Sequence, residues 1–242
     1  MIRRLPDTAS IAVPGPGDRL SAPSADRNRA PLCDLLARVA PASGRALELA
    51  SGTGQHVVAF AAGLPGLHWQ PTEPDPARRA SIDAYRADAD LANLAPARHL
   101  DATAPGWAVD WAGQDLIVLV NLLHLISMPE AEILIDQAAR ALTLGGRFVV
   151  YGPFMRNGKL TSEGDAAFHA SLTAADPNIG YKDSSVIVNR AAAAGLSLVK
   201  IVEMPANNLA FVLEKRRSDQ DQRRSVTADA ERLQKNEYAK KD

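Results

Sequence analysis

Residues 45–56 constrain the fold of this chain more than any other stretch. An apolar run that carries Glu48 near its end is followed by a turn of small residues, 50–54, and then by a helical pattern. Glycine lacks a Cβ, so it permits a sharp turn and lets a ligand approach the backbone closely. A helix that begins after such a turn offers unpaired N–H groups and the positive end of its dipole. Strand, turn and helix in this order predict a nucleotide-type cofactor site at the carboxyl edge of a sheet.

Apolar strands alternate with helices through the rest of the chain. Residues 115–120 are the clearest strand, because an almost wholly apolar, β-branched run is typical of a central parallel strand covered on both faces. Residues 198–204 and 209–214 flank a Pro-Ala-Asn-Asn turn and predict an antiparallel hairpin. The other predicted strands are residues 46–50, 68–72, 98–100 and 147–151. The predicted fold is α/β: a Rossmann-like, mostly parallel seven-stranded sheet with helices on both faces and a C-terminal antiparallel hairpin.

The two ends of the chain differ in composition from its centre. Residues 1–22 are rich in Pro, Gly, Asp and Ser, and they predict a flexible arm with little regular structure. Charged residues of both signs dominate residues 216–242, which predicts a solvated tail, with partner binding as the alternative. Between these ends, residues 23–215 are predicted to form one domain.

Length and composition limit the class of protein. The chain has 242 residues, of which 46% are hydrophobic and 23% charged, and this suits one globular domain with tails. A net charge of −1 gives no reason to expect nucleic acid, and no apolar run predicts a membrane span. Cys33 is the single cysteine and no acidic or histidine set has ligand spacing, so no metal is predicted. The polar amino terminus lacks a secretory pattern, so a cytoplasmic location is expected, while the oligomeric state stays open.

Ligands of a parallel sheet bind beyond the carboxyl ends of its strands, so residues that follow strands are site candidates. Glu73 follows the second strand about 20 residues after the glycine turn, where a carboxylate can accept hydrogen bonds from both ribose hydroxyls. Asp75 is the alternative for this role. Asp101, with the small Ala102 behind it, suits a hydrogen bond to an adenine amino group, and a turn cap is the alternative.

Glu48 separates two interpretations of the cofactor. A dinucleotide fingerprint has a third glycine, but Val57 stands at that position. An acid four residues before Gly52 suits a ligand with a cationic amine instead. With the late hairpin, this arrangement resembles the class I S-adenosylmethionine (SAM)-dependent methyltransferases over residues 47–215. Ala50 stands where their first motif usually has a glycine.

Four motifs carry a narrower resemblance, to a small family of methyltransferase-like proteins of unassigned substrate. They are ASGTGQH at residues 50–56, WQP at residues 69–71, YGPF at residues 151–154 and MPANN at residues 204–208. The resemblance implies SAM as cofactor and direct displacement of its methyl group by a nucleophile on a small molecule. A nicotinamide-dependent oxidoreductase and a non-catalytic SAM-binding interaction protein are the alternatives.

The strand ends and the resemblance together predict the site residues. His124, after the central strand, is the first candidate for a general base and His56 the second, with a structural histidine as the alternative for each. The predicted cofactor-binding residues are Glu48, Ala50, Ser51, Gly52, Gly54, Gln55, His56, Glu73, Asp101, Ala102 and Asn121. The predicted substrate-pocket residues are Arg27, Asn28, His124, Tyr151, Phe154, Asn207 and Asn208.

Three further expectations concern the surroundings of this site. Arg27 and Asn28 are predicted at the start of a first helix over residues 31–39, and Arg27-Asn28 fits the opening motif of the small family. Packing is the alternative role for Phe154. Residues 176–183 have the composition of a lid or substrate loop. The favoured alternative is that Lys182 and Asp183 simply pair with each other or face water.

Overall fold

The computed structural model describes residues 5–6 and 8–216, and the predicted tail after residue 216 lies outside these residues. Two short strands, β1 (Val13–Pro14) and β2 (Leu20–Ser21), form a hairpin near the amino terminus. The strands of the main sheet are β3 (Gly44–Leu49), β4 (Leu67–Pro71), β5 (Gln114–Val120), β6 (Leu142–Met155), β7 (Lys182–Asp183), β8 (Leu196–Glu203) and β9 (Asn208–Lys215). Their order is β4-β3-β5-β6-β9-β8, with β7 beside β6.

Helices cover both faces of this sheet. They are α1 (Pro23–Val39), α2 (Gln55–Gly63), α3 (Pro76–Ala89), α4 (Met128–Ala141), α5 (Glu163–Ala175) and α6 (Ser184–Ala193), with 3₁₀ turns at Trp107–Val109 and Leu123–Leu125. Strands β3 to β6 are parallel, and β9 runs antiparallel to both β6 and β8. The predicted fold class is therefore confirmed, although the antiparallel strand lies inside the sheet and β8 forms the edge.

The predicted strand at residues 98–100 does not form. Residues 94–98 run beside β4, but only the isolated bridges Trp69–Leu94 and Thr72–Arg98 are made. Pro96 lies between these bridges and has no N–H to donate, so it interrupts a continuous ladder. The seventh strand of the sheet is instead the short β7.

Two hydrophobic cores stabilise the sheet, one on each face. One packs α4 and α6 against residues such as Phe148 and Phe211. The other packs α1, α2 and α3 through residues such as Leu32, Phe60 and Ile82. Because side chains alternate along a strand, neighbouring residues of each strand enter opposite cores.

Helix α1 begins eight residues earlier than predicted, at Pro23 rather than Pro31. Pro31 removes one hydrogen bond from the helix interior, but a buried stripe that includes Ala25, Asn28 and Leu32 continues through it. Packing of this stripe outweighs the lost bond. Arg27 and Asn28 therefore lie within α1 and not at its start.

The amino-terminal arm also differs from the expectation of little regular structure. The β1–β2 hairpin pairs Val13 with Ser21 and Pro14 with Leu20. Arg19 Nη1 forms an ion pair with Asp88 Oδ2 at 2.7 Å, which holds the hairpin against α3. Contacts with the rest of the protein order this polar segment, and its composition does not reveal them.

Candidate cofactor and acceptor site

The turn between β3 and α2 adopts a left-handed backbone conformation at three residues. The φ angle is +50° at Ala50, +61° at Gly52 and +96° at Gly54. Ala50 thus takes a conformation that glycine adopts at lower cost. A Cβ at Gly54 would lie 2.8 Å from Ile82 Cα, so glycine is needed for α3 to pack against the turn.

Glu48 is a buried acid at the carboxyl end of β3, with only 1% of its surface exposed. Its backbone carbonyl accepts hydrogen bonds from Ser51 Oγ at 3.3 Å and from Thr72 Oγ1 at 2.7 Å. Its carboxyl Oε2, however, is buried with no hydrogen-bond partner among the residues that the structure describes. Burial raises the pKa of Glu48 to about 8. A ligand that donates a hydrogen bond to this oxygen would offset the free-energy cost of burying it unpaired.

Glu73 reaches across from the end of β4 to the glycine turn. Its Oε2 accepts from Gly52 N at 2.9 Å, and its Oε1 accepts from Asp75 N at 3.2 Å. Burial raises the pKa of Glu73, and these two bonds oppose the rise. Asp75 instead caps α3, since its Oδ1 accepts from Ala77 N and Arg78 N. The geometry therefore favours Glu73 over Asp75 as the acid beside the turn.

Asp101 follows the segment that runs beside β4, and Asn121 follows β5. Asp101 is exposed, and its Oδ1 accepts from the backbone N and the Oγ1 of Thr103 at 2.9 and 2.6 Å. This is the turn cap that the sequence left as an alternative, and Ala102 behind it is buried. Asn121 directly follows β5 with a φ of +56°, and its backbone N donates to Tyr151 O at 2.9 Å.

The side chains of Gln55 and His56 bind other parts of the protein. Gln55 Nε2 donates to Asp26 Oδ1 at 2.7 Å, and Gln55 Oε1 accepts from Ala22 N at 2.7 Å. His56 Nε2 lies 2.6 Å from Asn28 Oδ1 in α1, and burial lowers the pKa of His56 to about 4. These contacts agree with the structural alternative for His56, and they fasten α1 to the start of α2.

His124 is buried in the 3₁₀ turn after β5. Its ring meets those of Phe168 and Tyr181 edge-on, with centroids 5.7 and 6.1 Å away. Burial, with the charge of Lys182 as a second cause, lowers the pKa of His124 to about 3. The imidazole is therefore neutral near pH 7. A Cβ at Gly152 in β6 would lie 4.0 Å from His124 Nδ1, so this glycine leaves space beside the ring.

Tyr151 and Phe154 point to opposite faces of the sheet and cannot line one wall together. Tyr151 is buried in the core that contains α1, and burial raises the pKa of its phenol while the amides of Asn28 and Asn208 oppose the rise. Phe154 lies in the core of α4, with its ring centroid 4.6 Å from that of Phe211. Phe154 therefore takes the packing role that the sequence left as its alternative, because the strand period directs it into this core.

The remaining predicted pocket residues lie around the β8–β9 turn and α1. Asn207 is exposed, and its Nδ2 donates to Asp165 Oδ2 in α5 at 3.1 Å. Asn208 is half-buried, and its Nδ2 donates to Pro205 O at 3.0 Å. Arg27 is exposed on α1 and lies close enough to influence Tyr151 electrostatically.

A cluster under α5 was missed from the sequence. We call it the α5 cluster; its buried members are Ala9, Leu125, Leu172, Ile179 and Tyr181, with Phe168 packed against them. Tyr181 Oη donates to Asp165 Oδ1 at 3.1 Å, so the cluster also joins the acid that binds Asn207. Two aromatic residues in a polar stretch were the available signal, but no local spacing places them over His124.

Lys182 differs from the expectation that it pairs with Asp183 or faces water. It is buried, and its Nζ donates to the backbone carbonyls of Ile126 and Gly180. Asp183 instead caps α6, because its Oδ1 accepts from Ser185 N. The ammonium group therefore links the His124 turn to the loop before β7.

Neither a metal-ligand cluster nor a membrane-spanning helix is found within residues 5–6 and 8–216. No group of three or more His, Cys, Asp or Glu side chains is arranged to hold a metal ion there. Within the same residues, none of the helices combines the length and apolarity that crossing a membrane requires.

Comparison with known families adds to this geometry. The model of a family described as "Protein of unknown function (DUF938)" matches residues 19–215. The chain belongs to this family. Since the match runs from the end of the amino-terminal hairpin to the last strand, it includes every candidate site residue named above.

Solved structures with similar folds share low sequence identity with this chain. An O-methyltransferase family protein from Burkholderia thailandensis gives a TM-score of 0.69 at 17% identity, over 81% of this chain and 58% of that one. PigF with SAH gives 0.64 at 21% identity, over 78% and 56%. Human N-acetylserotonin methyltransferase in complex with SAM gives 0.65 at 13% identity, over 80% and 53%. The chain thus has the class I SAM-dependent methyltransferase fold and spans little more than half the length of these structures.

Proposed function

We propose that this protein is a SAM-dependent methyltransferase that acts on a small molecule. The observation that carries this proposal is the buried Oε2 of Glu48, which lacks a hydrogen-bond partner among the described residues. Such an oxygen suits a ligand that brings a cationic amine, as the amino-acid end of SAM does. The shared fold supports the proposal, because PigF and the human enzyme were solved with SAH and SAM bound.

The residues around the glycine turn suit the other parts of SAM. Glu73 lies beside Gly52, where its carboxylate is positioned to accept from ribose hydroxyls. The bonds from Thr103 engage Asp101 Oδ1, and we assign Oδ2 of this exposed acid to the adenine amine. Gln55 and His56, whose side chains bind Asp26 and Asn28, have a supporting role in this proposal.

When bound, SAM supplies an activated methyl group on a sulfonium, and the protein must align and desolvate the nucleophile that attacks it. We assign this task to the region around His124, Tyr151 and the α5 cluster. A buried neutral imidazole accepts a hydrogen bond from a protonated nucleophile. With a pKa of about 3, however, His124 holds a transferred proton poorly, so we propose that it orients the nucleophile.

No observation favours the oxidoreductase alternative. Val57 occupies the position of the third glycine in a dinucleotide fingerprint, and it is fully buried in the core with Phe60. A glycine there would allow a pyrophosphate and a closely packed helix, whereas Val57 fills that space. The similar solved structures include an O-methyltransferase family protein and human N-acetylserotonin methyltransferase.

Calorimetric titration with S-adenosylhomocysteine and with NADH tests the cofactor. We expect S-adenosylhomocysteine to bind, NADH not to bind, and E48Q to weaken the binding roughly tenfold, since a charge-assisted hydrogen bond is lost. Q137E serves as a control at a buried polar site of α4, away from the turn. Binding of NADH alone would overturn the proposal.

Incubation with methyl-labelled SAM and a cell extract tests the reaction itself. We expect label in a compound of low molecular mass, and its identification would name the acceptor. Label in a protein or nucleic acid would contradict the small-molecule part of the proposal. If SAM binds and no label moves, the alternative of a non-catalytic SAM-binding interaction protein gains support.

A further inference from the structure

We propose that residues 8–22, here called the N-terminal strap, close over the cofactor cleft and must release before the cofactor can exchange. This inference rests on the proposed function, because it requires a cofactor at the glycine turn. The strap contacts the proposed acceptor side through Ala9. It contacts the cofactor side through Arg78, Ser81 and Gln55, which also lie against the glycine turn.

The first contact reaches the glycine turn through α3. Arg78 Nη2 donates to the backbone O and to the Oγ of Ser10 at 2.9 and 2.8 Å. A Cβ at Gly52 would lie 3.6 Å from Arg78 Nη1, so the same guanidinium stands beside the turn. The charge of Arg78 also opposes the rise in the pKa of Glu73 that burial causes, so Arg78 lies near the proposed ribose acid. The strap is therefore anchored at the mouth of the cofactor site.

Two further contacts meet at Thr53, inside the turn. Leu20 N donates to Ser81 Oγ at 2.8 Å, and Ser81 Oγ donates to Thr53 O at 2.8 Å. Ala22 N donates to Gln55 Oε1 at 2.7 Å, and the same oxygen accepts from Thr53 Oγ1 at 2.8 Å. Both side chains thus bind the strap and the turn at once. A shift of the turn on cofactor binding would change the hydrogen bonds that hold the strap.

The other end of the strap meets the acceptor side. Ala9 is buried in the α5 cluster, and this cluster includes Tyr181, whose ring lies edge-on to His124. From Ala9 the strap passes Ser10, which binds Arg78 of α3, and it ends at Ala22, which binds Gln55. One segment thus contacts both the proposed acceptor half and the proposed cofactor half of the site.

The contacts of the strap are suited to opening without unfolding of the domain. Its two strands have only two residues each, and its ion pair Arg19–Asp88 leaves 34% and 56% of the two side chains exposed. Exposed ion pairs and short hairpins add little stability, so such a segment opens at lower cost than the sheet. The strap is consequently the element that can open and close around a bound cofactor.

The test measures exchange of labelled S-adenosylhomocysteine in the full chain, in R19A, and in a chain that lacks residues 1–19. Arg19 binds Asp88 and lies over the ring of Tyr85, away from Glu48 and Glu73. We expect dissociation to be about threefold faster in R19A and about tenfold or more faster in the shortened chain, with faster association as well. R190A is the matched control, since it removes an ion pair with Asp136 between α6 and α4. Its exchange rates should equal those of the wild type.

Hydrogen exchange of the unmodified chain supplies a second readout. We expect the amides of Leu20 and Ala22 to exchange more slowly once S-adenosylhomocysteine is bound. Binding with unchanged rates in the shortened chain and unchanged strap protection would overturn the strap proposal alone. No binding by the wild type would overturn the proposed function and the strap together.

Discussion

At the scale of single residues, Glu48 links the proposed ligand to the stability of the free protein. Its pKa rises from 4.5 to about 8 on folding, so the native state keeps a proton that the unfolded chain releases. The stability due to this proton is complete below pH 4.5 and is lost as the pH rises through about 8. We expect the loss to approach about 1.4 kcal/mol per pH unit within this window.

Urea unfolding of the wild type and E48Q across this pH range measures the effect. The difference between the two proteins isolates Glu48 from other titrating groups, including Glu73, whose pKa is also raised. A parallel dependence on pH in both proteins would contradict the assignment. Saturating S-adenosylhomocysteine should reduce the loss in the wild type, because its amine stabilises the ionised carboxylate.

Ala50 offers a second prediction at this scale. Its φ of +50° costs an alanine roughly 1–2 kcal/mol, whereas glycine adopts this region freely but gains entropy when unfolded. We expect A50G to stabilise the protein by roughly 0.5–1 kcal/mol in urea unfolding. The control is A87G on the exposed face of α3, which should destabilise by about 1 kcal/mol. Equal destabilisation by both changes would show that Ala50 is not strained.

At the scale of elements, the contact between the glycine turn and α3 decides the shape of the site. Gly54 has a φ of +96°, and a Cβ added to it would lie only 2.8 Å from Ile82 Cα. We expect G54A to lower the free energy of unfolding by roughly 3 kcal/mol and to weaken binding of S-adenosylhomocysteine. Urea unfolding and calorimetry measure the two effects.

Gly63 provides the control in the same helix. It ends α2, and a Cβ there would meet no atom within 4 Å. G63A should therefore leave both stability and binding within about 0.5 kcal/mol of the wild type. If G54A behaves like G63A, α3 can move away from the turn, and the packing argument fails.

At the scale of the whole molecule, the position of β9 makes the sheet depend on the end of the domain. β9 pairs with β6 from Arg147–Glu214 to Pro153–Asn208, and β8 pairs with its other edge. A chain that ends at residue 207 lacks this strand, so one edge of β6 loses its backbone partner and β8 loses the strand with which it pairs. We expect it not to fold, as judged by circular dichroism and a cooperative melt.

A chain that ends at residue 216 is the matched comparison. It keeps β9 and removes only the predicted tail. We therefore expect its melting temperature and its affinity for S-adenosylhomocysteine to equal those of the full chain. A large loss of stability in this shorter chain would show that residues 217–242 belong to the domain. The predicted division at residue 215 would then be wrong.

The sequence by itself determined the fold class and the place of the candidate site. Apolar strands alternating with helices specify a parallel sheet, and the acid, turn and helix at residues 48–56 lie next to one another in the chain. Glu48, Glu73 and the turn could be located for this reason. Local spacing also showed the late hairpin, because a short turn joins its two strands.

Only the tertiary structure decided how distant segments meet. Pro31 lies inside α1 because buried packing on both sides outweighs one lost hydrogen bond. Phe154 enters the α4 core because of its register in β6, and Lys182 is buried against carbonyls of two loops. The contacts that join Ser10 to Arg78 and Leu20 to Ser81 cross more than sixty residues of chain. No local pattern encodes such contacts, because they depend on how the packed elements are placed in space.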